Sequence, residues 1–120
     1  MTRVALPWPH NALKPNAGSP FGKKHRYAKR DAAKAAKADA YALAYSAGIP
    51  ALPEAGPICV LWTLCPPDKR HRDMDNAIAS LKWHQDGVAL AWGVNDARFQ
   101  PTYRWADPVR GGRVTVEVMP

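Results

Sequence analysis

An α+β domain, with a small mixed sheet and two helices in the order β-α-β-α-β-β, is predicted by three features of this chain. One is a long alanine-rich segment stopped by Gly48 and Pro50. Another is a near-continuous apolar run at residues 58–64. The third is a pair of alternating segments near the carboxyl end. With 120 residues there is room for one core, so a single domain over 1–120 is expected.

Taken in order, residues 4–6 form a short apolar run closed by Pro7 and Pro9. That suits an edge strand, where a missing amide donor is tolerated. Residues 10–21 carry Asn, Pro, Gly and Ser without periodicity and read as a loop. Ala, Lys and Tyr dominate 23–47, and propensity alone makes most of 31–47 helical. Gly48 and Pro50 supply the stop. On this helix Ala32, Ala36, Ala40 and Leu43 share a stripe expected to pack on a sheet. Arg30, Lys34, Lys37 and Tyr41 share another, either a phosphate-facing surface or a solvated face.

A proline-rich connection at 50–57 leads to the apolar strand 58–64, expected to be central in the sheet and ended by Pro66-Pro67. The second helix is predicted over 76–92, because Met74, Ile78, Leu81, Val88 and Trp92 cluster at about 100° per residue. Gly87 lies inside this pattern, where glycine costs roughly 1 kcal/mol relative to alanine. His84 is expected on the solvent side of that helix. Gly93-Val94-Asn95-Asp96 makes a turn, and 99–105 and 113–119 then alternate as strands. Trp8 between prolines is expected to pack, and Trp62, Trp83, Trp92 and Trp105 to make core or dimer contacts. Cys59 and Cys65 show no metal-ligand spacing and are expected reduced and buried.

Seventeen Lys and Arg against ten Asp and Glu give a formal charge of +7. The balance favours a polyanion. No apolar run approaches the roughly 18 residues of a membrane span, and no basic start leads into a signal core. Nucleic acid is therefore the expected partner, no membrane is, and the cytoplasm is the expected compartment.

The chemistry concentrates in Lys69-Arg70-His71-Arg72-Asp73-Met74-Asp75-Asn76, where cations abut two carboxylates one residue apart. In an extended segment Asp73 and Asp75 point the same way and suit one hard cation, with phosphate on the bases. Mg2+ and Mn2+ both suit such oxygen ligands. Asp96 is the best third carboxylate, and Lys82 lies two turns beyond Asp75. Asp86 is a further ligand or a partner for Lys82 at i,i+4. The plainer alternative is that Asp73 or Asp75 caps a helix and pairs with Arg70 and Arg72.

The chain resembles the RusA family of Holliday-junction resolvases. Leu6-Pro7-Trp8-Pro9 is similar to its LPWPP signature, and Pro67 through Asn76 to its basic PDxRRRDxDN segment. Asp96 falls where a third catalytic acid stands, and Gly111-Gly112-Arg113 resembles its closing strand. The resemblance implies a homodimeric, Mg2+-dependent endonuclease that cuts four-way DNA junctions in recombination and repair. It makes Asp73, Asp75 and Asp96 the metal-binding catalytic acids, Lys82 the catalytic lysine, and Lys69, Arg70 and Arg72 the phosphate contacts. Two positions depart from the pattern. Ala79 stands where some members carry the lysine, and Asn95 where some carry a further acid. Both favour the alternative of a DNA-binding or architectural protein without cleavage; a nuclease for other branched DNA is a third possibility.

Overall fold

The computed structural model describes residues 3–14 and 23–120, with the backbone alone for residue 12 and residues 23–26. Residues 15–21 of the predicted loop, and residue 22, lie outside the described residues. Strand β1 (Arg3–Leu6) leads into a short 3-10 turn, Asn11–Leu13. Helix α1 (Lys23–Ala47), strand β2 (Ile58–Cys65), and helices α2 (Met74–Ser80) and α3 (Lys82–Trp92) follow. A second 3-10 turn, Asp96–Arg98, precedes β3 (Phe99–Trp105) and β4 (Arg113–Val118). The predicted α+β class holds, with the second helix divided in two. None of the described helices is long and apolar enough to cross a membrane.

The sheet order is β1-β4-β2-β3, with β4 antiparallel to both β1 and β2, and β2 parallel to β3. Successive strands β3 and β4 are therefore not neighbours. The connection between them is pinned past the end of β2, where Ala106 N–H donates to the Leu64 carbonyl and Val109 N–H to the Pro66 carbonyl, both at 2.9 Å. Strand β2 is hydrogen-bonded on both sides, and Ile58, Val60, Trp62 and Leu64 are fully buried under the helices. Cys59 points to the opposite face and is exposed, contrary to expectation, while Cys65 is buried; both thiols are free. An apolar run does not reveal that the second face of this strand is open at Cys59 and covered at Thr63 and Cys65.

The alanine stripe of α1 is rotated from its predicted position, and its partner differs. Ala33, Ala36, Ala40 and Ala44 are buried, whereas Leu43 is exposed. They pack chiefly against α3. The contact is close because α3 presents Gly87. A Cβ there would collide with the Lys37 carbonyl oxygen and fall 2.8 Å from Ala40 Cβ. The residue that weakens α3 by propensity is the one that lets the two backbones touch.

Helices α2 and α3 meet at Leu81 because Ser80 Oγ donates to the Ala77 carbonyl at 2.6 Å. Leu81 N–H then bonds Ile78, three residues back, at 3.0 Å, tightening the turn and breaking the helix. Gly93 closes α3 in the left-handed conformation (φ 72°, ψ 30°). Trp92 meets Phe99 edge-to-face at 5.8 Å.

Candidate functional site

Three distant segments meet at the carboxyl end of β2. Gly112, at φ 75°, leaves room for Trp8 and Pro67: a Cβ at that position would fall 2.7 Å from Trp8 Cβ and 3.2 Å from Pro67 Cδ. Trp8 stacks on Trp105 with centroids 6.5 Å apart, and the Arg72 guanidinium sits 5.8 Å from the Trp8 ring centroid. Trp8 therefore packs as expected. Trp105 is exposed on the far side of this stack rather than buried in the core.

Arg72 is also the strut of the basic segment. Its Nη1 donates to the Asp68 and Arg70 carbonyls at 3.1 and 3.0 Å, and its Nη2 to Asp68 Oδ1 at 2.9 Å. Its side chain is only 17% exposed. Arg70 grips the same carboxylate, with Nη2 2.9 Å from Oδ2 and its own N–H 3.0 Å from Oδ1. These bonds, from Arg70 first and then Arg72, hold the Asp68 carboxyl far below the usual carboxylate range. The preformed arginine pair therefore has an internal anion, a partner that the charge pattern alone does not assign to it. Lys69 and Arg70 remain exposed.

Beside this strut is a cleft of about 220 Å³, lined by Trp8, Lys14, His71, Arg72, Asp73 and Asn76 among others. Asp73 stands at the N-cap of α2 with extended backbone (φ −77°, ψ 131°), yet its side chain makes no capping bond. Its carboxylate faces solvent, with Oδ1 3.4 Å from His71 Nε2. Asp75 is exposed in the first turn of α2. Capping therefore does not occupy the Asp73 carboxylate. An exposed pair of this kind suits Mg2+, which commonly takes one or two protein carboxylates together with water and phosphate oxygens.

Asp96 lies elsewhere. It opens the 3-10 turn after α3, whose cap is Asn95: Asn95 Oδ1 accepts from Ala97 N–H at 2.9 Å. The Asp96 carboxyl is hydrogen-bonded to that of Asp86 on α3. Burial, that hydrogen bond and the Asp96 charge push the Asp86 carboxyl above its usual range, with Lys37 and Lys82 opposing the rise. Lys82 begins α3, and its Nζ lies 5.7 Å from the Trp83 ring centroid. A second cleft of about 240 Å³ borders the pair, with Lys37, Leu90 and Asn95 among its walls.

The acids named from the sequence thus fall into two groups, Asp73 with Asp75 and Asp96 with Asp86. Asp86 stands eleven positions after Asp75, across the break at Leu81. Among the described residues, no group of three or more His, Cys, Asp or Glu is placed to hold a metal ion. Asp73 lines the first cleft and Asp96 the second. Lys82 belongs with Asp86, and the break at Leu81 separates it from Asp75.

His84 departs from its expected position altogether. It is 2% exposed, not on the solvent side. Its Nε2 donates to the Pro7 carbonyl at 3.0 Å, and its buried Nδ1 has no partner among the described residues. Burial lowers its pKa below the ordinary imidazole value. The histidine ties α3 to the Pro7-Trp8-Pro9 segment and so holds Trp8 in the first cleft. The signal was a stripe of small and polar residues, Ser80, His84, Gly87 and Ala91, at i, i+4, i+7 and i+11. All four are buried.

No family model matches the chain. It is 33% identical over 121 residues to an uncharacterized protein of Xylella fastidiosa (strain Temecula1), across 98% of this chain and 76% of that protein. The chain belongs to the same family as this Xylella fastidiosa protein.

Proposed function

We propose that the chain is a structure-selective endodeoxyribonuclease that resolves four-way DNA junctions as a homodimer, in the cytoplasm, during recombination and repair. The observation that carries this reading is the meeting of Trp8, Pro67 and Gly112 beneath Arg72. These residues come from three of the four places in which the sequence resembles the RusA family. Beside them, Asp73 and Asp75 leave their carboxylates to solvent. Lys69 and Arg70 dock the phosphate backbone, and the Arg72 strut fixes the segment in register with Trp8. Asp73 and Asp75 would hold Mg2+, or Mn2+, which when bound supplies an activated water and neutralises phosphate charge. Asp96 would be the third metal-binding acid and Lys82 would stabilise charge on the phosphate, both beside the Asp86 carboxylate. Two-fold symmetry would place two such chains on opposing strands.

A DNA-binding protein without cleavage is the second reading, favoured by the pairing of Asp96 with Asp86 away from Asp73 and Asp75. A labelled four-way junction incubated with Mg2+ and wild-type chain, Asp75→Asn or Asp96→Asn separates the two. Cleavage by wild type alone supports the full acid set. Cleavage by wild type and Asp96→Asn but not Asp75→Asn confines the chemistry to the start of α2. Tight binding by wild type with no cleavage sinks the nuclease. Nicking by Asp75→Asn as strong as that of wild type rejects the site. Competition with duplex and flap DNA distinguishes junctions from other branched substrates.

A further inference from the structure

The exposed side of α1 carries a feature that the carboxylate sites do not use. Tyr27, Tyr41 and Tyr45 are 54%, 39% and 64% exposed. At 100° per residue they share a sector of about 80° with Arg30, Lys34 and Lys37, a track about 27 Å long. No carboxylate of α1 lies in that sector; Asp31 borders it and pairs with Arg30 at 3.8 Å. The Arg30 guanidinium lies over the Tyr27 ring at 5.1 Å, and Tyr41 and Tyr45 stack with centroids 6.0 Å apart. Lys37 faces Asp86 on α3, so the track passes the Asp86–Asp96 pair.

We infer that this face of α1 binds an unpaired nucleic-acid strand, with bases stacked on the tyrosines and phosphates on Arg30, Lys34 and Lys37. Aromatic faces accept any unpaired base, and interleaved cations follow the backbone. Duplex bases are already stacked on one another and offer the tyrosines nothing. A second copy of this chain fits the track poorly, because two-fold pairing of the same stripe would oppose cations to cations. The inference concerns binding alone and stands whether or not the chain cuts DNA.

The test measures binding in EDTA, by anisotropy, of a labelled oligothymidylate and of a duplex of equal length. Y41A/Y45A is expected to weaken oligothymidylate binding about tenfold while leaving the duplex unchanged. Y41F/Y45F, which keeps the rings, restores it. K34Q/K37Q is expected to reduce the log–log salt slope on the single strand by about 1.4, or roughly 0.7 for each phosphate no longer neutralised. Unchanged oligothymidylate binding in Y41A/Y45A, equal losses on both DNAs, or no wild-type binding of the oligothymidylate would overturn the inference. So would self-association in sedimentation that Y41A/Y45A abolishes without affecting the single strand, which would make the face an interface between copies.

Discussion

Two acidic regions of this chain contain the same residue type and reach opposite electrostatic states. Asp68 lies in an exposed loop, and its neighbours Arg70 and Arg72 draw its carboxyl far down. Asp86 lies on α3, and burial together with Asp96 pushes its carboxyl up. The partners of Asp68 are two and four residues away along the chain. Asp96, ten residues from Asp86 and beyond the end of α3, reaches it only when the turn after α3 folds back. An acid governed by sequence neighbours has its partners within one charge run, although the run does not say which acid takes the arginines. One governed by tertiary neighbours has them elsewhere in the chain, even though the side chain is identical.

The largest test of this contrast acts on the packing beneath Asp86. Gly87→Val would drive α1 from α3, since even a Cβ collides with the Lys37 carbonyl. A loss of about 3 kcal/mol is expected in denaturant unfolding, the upper end for overpacked cores. In the same variant, NMR titration should show the Asp86 carboxyl relaxing toward its ordinary value. Unaltered stability would refute the close approach.

His84→Ala comes next, at about 2 kcal/mol for the orphaned Pro7 carbonyl and the void left behind. The folded imidazole titrates below its ordinary 6.5. Its contribution is therefore present above pH 6.5 and is lost as pH falls toward the lowered value. Urea unfolding across that window should show a slope in wild type that His84→Ala lacks.

Asp68→Asn releases the arginine pair instead of disturbing the core. One additional phosphate contact would steepen the salt dependence of duplex binding by about 0.9. An identical slope would mean that Arg70 and Arg72 stay bound to the loop without their anion. The smallest effect is that of Asp86→Asn. Because the folded Asp86 titrates above its ordinary 3.8, its contribution is present below that pH and lost as pH rises through the raised value. The variant should flatten that decline, while Asp68→Asn leaves it in place.

Much of the architecture was legible because each element carries its own period. Propensity and a glycine stop outlined α1, and the continuous apolar run located β2 as an inner strand. The two alternating segments gave β3 and β4 nearly to the residue. Within the candidate site, the order of Trp8, the basic segment, Asp96 and Gly111-Gly112 was readable. What escaped were matters of which surface covers which. The alanine stripe reads as a sheet-facing surface although α3 takes it, Cys59 reads as buried although it is exposed, and His84 reads as solvent-facing although it is buried. In each case the sequence defines a face, and only the neighbouring element decides whether that face is covered.

By itself, the sequence determined the element order and the basic charge, because these depend on propensity and composition. Only the tertiary structure decided that Asp96 comes beside Asp86. The Ser80 hydroxyl breaks the helix at Leu81, Gly87 lets α1 close on α3, and the turn after Gly93 folds Asp96 back. Together they fix distances between residues that no local pattern relates.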